Sequence, residues 1–312
     1  MTTAPQADDF LSRLSAAVAA KAADAAPALA AVDAGRWRRL AGILWRPGVV
    51  VTSRQALPRR PERYAVSVGG GEPRAATLAG DNPGTNVAVL RVEGEGAPPA
   101  RLPPRSGGEQ APGMLALLVG AGEGGRPTAR LATVHATGPA WHSLAGGRID
   151  RLLRLDGRLG SSEEGGPVLD AAGALLGMST AGPRGRALVI PHETVERVLD
   201  PILSHGRVGR AWLGLGLQPV EVPAALREAA GGRDSGLMVV ELAAGGPAER
   251  AGVLPGDILL AFDGVSVDRP RGLAALLGPE RIGREAELRV MRAGEVRAVA
   301  VTPAPRPAAA AA

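Results

Sequence analysis

A chain of 312 residues with 45% apolar side chains can fill one large core or two ordinary ones. With only 2% aromatic residues, those cores must be built from Leu, Val, Ile and Ala, and almost nothing is left on which nucleic-acid bases could stack. The net charge is +5 and the pI near 10.8, with Lys21 the single lysine. Basic residues alternate with Asp and Glu from Arg36 to Arg306, so no phosphate-binding stripe forms and nucleic acid is excluded as a main partner. The chain has no cysteine, which excludes a disulfide framework and a thiolate nucleophile, and no apolar run reaches the roughly 18 residues of a membrane helix.

From Asp8 to about Val32 the sequence is Ala-rich, with Phe10, Leu11, Leu14, Ala17 and Val18 spaced by three and four, which predicts an amphipathic helix packed on the domain after it. The run Leu14 to Ala20 is interrupted by Lys21 before a signal-peptide core develops, so a cytoplasmic location is expected. After Gly35, short β-type runs broken by Gly and Pro occur at 41–45, 48–52, 64–68, 87–92, 114–119, 128–136, 152–155, 167–169, 174–178 and 187–190. Many short strands without intervening helices predict a mainly β fold of sandwich or barrel type. A helix is expected from Pro191 to Leu203, with Val195, Val198, Leu199 and Ile202 on one face, and Ser204-His205-Gly206 marks a domain boundary. Beyond it, strands are expected at 212–217, 236–242, 257–262 and 287–292, with short helices at 247–251 and 270–277 and a disordered Pro- and Ala-rich tail at the end.

The segments Trp212-Leu-Gly-Leu, Gly236-Leu-Met-Val-Val, Pro247-Ala-Glu-Arg-Ala-Gly, Leu254-Pro-Gly-Asp-Ile-Leu and Phe262-Asp-Gly-Val succeed one another in an order that resembles a bacterial PDZ domain of the HtrA kind. The turn at Leu213-Gly214-Leu215 can offer free backbone N–H groups to a peptide carboxylate, and Gly214 lets that backbone come close. The resemblance implies that a peptide adds as an antiparallel strand beside Leu215 to Pro219. Trp212, Leu213, Gly214, Leu215, Leu273, Leu276 and Leu277 are the expected peptide-binding residues, with an apolar last side chain on the ligand. Leu213, Leu215, Leu273 and Leu276 could equally be ordinary core residues. Asp268 before Pro270 reads as a helix N-cap.

Residues 36–203 resemble the body of an HtrA/DegP-type serine protease, a trypsin-like double six-stranded β-barrel, through three segments. Val50-Val-Thr-Ser-Arg-Gln-Ala-Leu57 resembles the stretch that delivers the family's histidine. Asp81-Asn-Pro-Gly-Thr-Asn-Val-Ala-Val-Leu90 resembles the one that carries its aspartate, and Ser161-Ser-Glu-Glu-Gly-Gly-Pro-Val-Leu169 the one with the serine nucleophile. Aligned in this way, the three positions hold Gln55, Asn86 and Glu164. Gln cannot shuttle a proton near neutral pH, Asn cannot stabilise an imidazolium, and Glu offers no activated hydroxyl. The four histidines, His135, His142, His192 and His205, all lie beyond the first barrel, and a register shift to Ser161 or Ser162 would put a side chain where the family has an oxyanion-hole glycine.

Glu163 and Glu164 read as a solvated acidic pair, or with Glu164 folded into the vacated oxyanion site. A metal set of these two with His142 or Asp156 has no recognisable ligand spacing, so neither metal nor cofactor is expected.

These readings predict an N-terminal helix (1–35), a protease-like double barrel (36–205), a PDZ domain (206–303) and a tail (304–312). The expected function is that of a non-catalytic pseudoprotease serving as adaptor, scaffold or holdase for carboxyl-terminal tails or extended peptides, and so not an enzyme. The alternatives are a serine endopeptidase with a displaced centre, or a structural role in a larger assembly. The resemblance also implies an oligomer or a hetero-complex, and it sets the periplasm against the cytoplasm.

Overall fold

The computed structural model describes residues 5–33, 35, 39–58, 63–94, 102–105, 110–143, 145–206 and 211–305, without the side chains of 5–8 and 280. It divides into two units, 1–207 and 208–312. In the first unit, the Ala-rich segment forms helix α1 (Pro5–Ala25). The predicted continuation to Val32 is wrong: Pro27 lies in a single 3-10 turn, and Leu29–Asp33 is instead strand β1, four of whose five residues are buried. Ala has the highest helix propensity, but burial in a barrel wall overrides it here. The expected packing of α1 holds only for its later part. Ala22 and Ala25 are buried, whereas Phe10 and Leu11 are 64% and 61% exposed.

Strands β2 (Arg39–Arg46), β3 (Val49–Ser53), β4 (Tyr64–Val68), β5 (Arg74–Asn82) and β6 (Val87–Val92) close with β1 into an antiparallel barrel of order β1-β2-β3-β6-β5-β4. Its core is Val32, Leu40, Val50, Tyr64, Val66 and Leu90. A second closed barrel, β11-β14-β13-β12-β7-β8, is formed by β7 (Leu115–Ala121), β8 (Pro127–Gly138), β11 (Leu152–Arg158), β12 (Pro167–Asp170), β13 (Leu175–Ala181) and β14 (Arg186–Pro191). Between β8 and β11 lies a small hairpin of β9 (Trp141–His142) and β10 (Arg148–Ile149). Helix α2 (His192–His205) buries Val195, Val198, Leu199 and Ile202, the face expected from its spacing, and Gly206 ends it in the left-handed conformation.

The second unit contains β15 (Ala211–Trp212), β16 (Leu215–Glu221), β17 (Ser235–Leu242), helix α3 (Pro247–Arg250), β18 (Ile258–Phe262), β19 (Val265–Ser266), helix α4 (Pro270–Leu276), β20 (Ala286–Arg292), β21 (Glu295–Val301) and β22 (Ala304–Pro305). Its main sheet runs β16-β17-β18-β20-β21, with β16 at one edge. The expected run 212–217 is interrupted at Leu213 and Gly214. Trp212 pairs with Ala304 of the predicted tail, so the tail's first two residues are a strand; 306–312 lie outside the described residues.

The fold is therefore mainly β, with two six-stranded barrels, a mixed α+β module and an N-terminal helix. Among the described residues no helix is long and apolar enough to cross a membrane.

Candidate functional site

Gln55, Asn86 and Glu164 come together in the first unit. The pairing of β3 with β6 sets Ser53 opposite Val87, which brings the turn after β3 against the residue before β6. Arg54 N–H donates to the Asn86 carbonyl (3.0 Å) and Gln55 N–H to Asn86 Oδ1 (2.7 Å). Asn86 has φ of 59°, a conformation that Asn tolerates better than most residues. Glu164 arrives from the turn before β12, and its carbonyl accepts from Ala41 N–H (3.0 Å). Gly165 makes this docking possible. Its φ is +88°, and a Cβ there would lie 2.4 Å from both the Ala41 carbonyl and Thr52 Oγ1.

Glu164 is 6% exposed and its carboxylate is fully engaged. Oε1 accepts from Ser53 Oγ (2.5 Å), Thr180 Oγ1 (2.9 Å) and Gln55 Nε2 (3.1 Å), and Oε2 accepts from Ala181 N–H (2.9 Å). Asn86 Nδ2 donates in turn to Ser53 Oγ (2.9 Å) and Thr180 Oγ1 (2.6 Å). The two hydroxyls accept from the Asn86 amide and donate to the Glu164 carboxylate, while Gln55 Nε2 also donates to Thr180 Oγ1 (3.0 Å) and to the Ala181 carbonyl (2.9 Å). Such directional networks in a low-dielectric site reinforce one another.

The expected solvated pair is therefore wrong: Glu163 and Glu164 are both buried, and their carboxylates are hydrogen-bonded within the protein. The oxyanion alternative does not describe the site either. The Ser162 and Glu164 N–H groups have no acceptor among the described residues, and the carboxylate turns to Ala181 instead.

Glu163 turns the other way. Arg130 holds it with two bonds (2.7 and 2.9 Å) and Gly160 N–H adds a third (2.8 Å). Burial pushes the Glu163 carboxyl upward, but the Arg130 guanidinium and the Gly160 N–H outweigh it and hold the group below the usual carboxylate range. A lowered folded-state value contributes stability that is present above the unfolded value of about 4.3 and is lost as pH falls through the folded one. Glu163→Gln is accordingly expected to cost about 2 kcal/mol at pH 7, with the deficit shrinking as pH drops below about 4. Thermal unfolding of both proteins across pH 3 to 7 measures it, and a deficit that does not change with pH would rule out this origin.

Among the described residues, no hydrogen bond joins Ser161 or Ser162 to any histidine, and no three potential metal ligands gather, Glu163 and Glu164 being turned to separate partners. Ser53, Arg130, Thr180 and Ala181 were not foreseen as parts of the site. Only Ser53, inside the segment that carries Gln55, had a local signal.

In the second unit, Leu213, Leu273 and Leu277 belong to the hydrophobic core, while Leu215 and Leu276 pack on it partly exposed and Trp212 is half-buried. Gly214 has φ of +79°, and its N–H and that of Leu213 have no acceptor among the described residues. Both carbonyls are used, by Ala248 N–H (2.9 Å) and Ala243 N–H (2.9 Å). Beside this loop, β16 presents the open edge of the sheet, with α4 packed alongside. The N-cap of α4 is Arg269, with no side-chain cap bond, and Asp268, expected in that role, lies 3.5 Å from the Arg269 side chain.

Comparison with known proteins accounts for both units. The model of the trypsin-like peptidase domain matches residues 41–178, and that of the PDZ domain matches residues 212–302. The chain thus carries a trypsin-like peptidase domain followed by a PDZ domain. A "Probable periplasmic serine endoprotease DegP-like" of Brucella suis biovar 1 is 29% identical over 276 residues, covering 85% of this chain and 52% of the relative. The protein of the same name from Ectopseudomonas mendocina is 30% identical over 234 residues, covering 73% of this chain and 48% of the relative. The chain thus spans about half the length of these curated relatives.

Among solved structures, the HtrA-type protease AlgW with tripeptide aligns at a TM-score of 0.69 with 25% identity, covering 93% of this chain and 97% of the other. The serine endoprotease from Yersinia pestis aligns at 0.70 with 22% identity, covering 92% and 98%. These names overturn two expectations. The chain was expected not to be an enzyme, yet its relatives are named serine endoproteases. It was expected in the cytoplasm, yet the curated relatives are named periplasmic.

Proposed function

We propose that this chain handles other polypeptides in the manner of an HtrA-type protein in the periplasm, its PDZ domain capturing carboxyl-terminal tails between β16 and α4. The observation that carries this reading is the pair of N–H groups at Leu213 and Gly214 that find no acceptor among the described residues, set at the start of an edge strand of the sheet. A carboxylate bound there completes the backbone hydrogen bonds that the loop leaves open. In this reading the partly exposed Trp212, Leu215 and Leu276, beside the buried Leu213, Leu273 and Leu277, receive the last side chain of the ligand, which is therefore apolar.

The names of the relatives favour hydrolysis as the fate of the captured chain. With Gln55, Asn86 and Glu164 at the aligned positions, that hydrolysis draws on a serine displaced from position 164. The closed network around Glu164 favours a second reading, in which the barrel body serves as an adaptor, scaffold or holdase.

Tail capture is tested with fluorescent peptides ending in leucine, one with a free carboxylate and one amidated. The free form is expected to bind and the amidated form not. Gly214→Glu is expected to weaken binding at least ~tenfold, because it puts a side chain in a left-handed backbone and a negative charge beside the carboxylate. Equal binding of the two peptides would reject the carboxylate nest. A fluorophosphonate probe and labelled casein separate the two fates. A tagged serine with cleaved casein identifies the displaced centre, whereas neither leaves the adaptor.

A further inference from the structure

The free edge of β16 is interrupted by a proline, and the hydrogen bonds of the neighbouring strands fix which way that proline faces. Val239 N–H donates to the Asp257 carbonyl (2.8 Å) and the Val239 carbonyl accepts from Gly256 N–H (2.8 Å), so both polar groups of Val239 point toward the β18 side. Asp257 is held for this pairing: its buried carboxylate takes Leu254 N–H (2.9 Å) and the Arg292 guanidinium (2.7 Å).

Val239 lies opposite Leu217 and Leu237 opposite Pro219. Because a strand residue directs its N–H and C=O to the same side, and that side alternates along the strand, Leu217 and Pro219 turn their backbone groups away from β17 to the open edge. The Gly214 carbonyl points back toward Ala243, which places Leu215 in the same outward set. The edge therefore offers complete donor and acceptor pairs at Leu215 and Leu217. At Pro219 it offers only a carbonyl, with ring carbon where an N–H would be.

We propose that Pro219 sets the length of tail that this PDZ domain reads, limiting the paired part of the ligand to about four residues. The inference rests on the tail-capture reading above. With the carboxylate on the Leu213 and Gly214 N–H groups, the last ligand residue lies beside Leu215 and the third from the end beside Leu217, each exchanging two backbone bonds. The fifth from the end meets Pro219, where its carbonyl finds no donor and the ring fills the approach. Residues upstream leave the sheet and contribute no sequence preference. The ligand class is thus any polypeptide with a short, extended, apolar-ended tail, however the chain upstream is folded.

The test uses fluorescent alanine–valine peptides ending in leucine with a free carboxylate, from three to eight residues long, titrated against the full chain. Affinity is expected to rise up to four residues and then to level off. In Pro219→Ala the four-residue peptide is expected to bind as before and the eight-residue peptide about fivefold more tightly, the effect of one recovered backbone bond.

A second measurement needs no variant: an ester at the third residue from the end, which removes the N–H facing the Leu217 carbonyl, weakens binding to the native protein, whereas at the fifth, which the ring keeps from the Pro219 carbonyl, it does not. If affinity keeps rising past the fifth residue, or the ester at the fifth weakens binding as much as at the third, Pro219 does not limit the ladder and the proposal falls while tail capture stands. If no peptide of any length binds, tail capture itself fails and this inference with it.

Discussion

Glu164→Ala is expected to destabilise the barrel unit by about 4 kcal/mol, read as a lower urea midpoint with an unchanged slope. The substitution removes one acceptor group and leaves four donors behind: the Ser53 and Thr180 hydroxyls, the Gln55 amide and the Ala181 N–H. Ser53 and Thr180 are 0% and 3% exposed, so water cannot replace the carboxylate without opening the structure, and each stranded buried donor costs about 1–3 kcal/mol. Gln55 is exposed and can turn to solvent, which keeps the total below the sum. Glu164→Gln retains an acceptor oxygen and is expected to lose about half as much. A loss under about 1 kcal/mol for the alanine variant would mean that water reaches the network and that the carboxylate is not its organising group.

Gly165→Ala is the second large effect, expected to cost about 3 kcal/mol or more from a single methyl group. Two penalties act together. The left-handed φ of +88° is poor for any L side chain, and the new carbon would sit 2.4 Å from the Ala41 carbonyl and from Thr52 Oγ1. Both are held: Thr52 Oγ1 donates to the Ala41 carbonyl (2.7 Å), and Ala41 N–H donates to the Glu164 carbonyl. Relief therefore requires the turn to lift off the first barrel, carrying Glu164 away from Gln55. Calorimetric unfolding of the variant checks the size of the effect. A near-native melting temperature would show that the turn adapts freely.

The barrels and the PDZ sheet were legible in sequence where apolar runs of four to six residues are bounded by Gly or Pro, as at Val49–Ser53 or Ile258–Phe262. Strand β1 was hidden because Leu-Ala-Ala-Val continues an Ala-rich helical pattern, and only closure of the barrel makes it a strand. Strand β5 escaped because its burial does not alternate: Ala76 is buried, Thr77 and Leu78 are both exposed, and the register shifts between Leu78 and Gly80.

The three aligned positions could be read because each lies in a segment with its own punctuation. Their environment could not be read, since the partners that orient Glu163 and Glu164 include Arg130 and Ser53, 33 and 111 residues away in sequence. The leucines of the PDZ loop and helix were undecidable between pocket and core in sequence, because an apolar side chain suits either. They differ in burial: Leu213 and Leu273 are in the core cluster, and Leu215 and Leu276 pack against it partly exposed.

The polar network has one more consequence. Ser53, Gln55 and Asn86 belong to the first barrel, whereas Glu164, Thr180 and Ala181 belong to the second, so the carboxylate joins two closed sheets that each have a separate hydrophobic core. A buried carboxylate is costly to strip of its donors, and neither barrel can open at this seam without doing so. Protection of backbone amides from exchange with solvent deuterium is thereby expected to be coupled across the seam, with the inner strands of both barrels opening together and Glu164 setting the size of the folding unit.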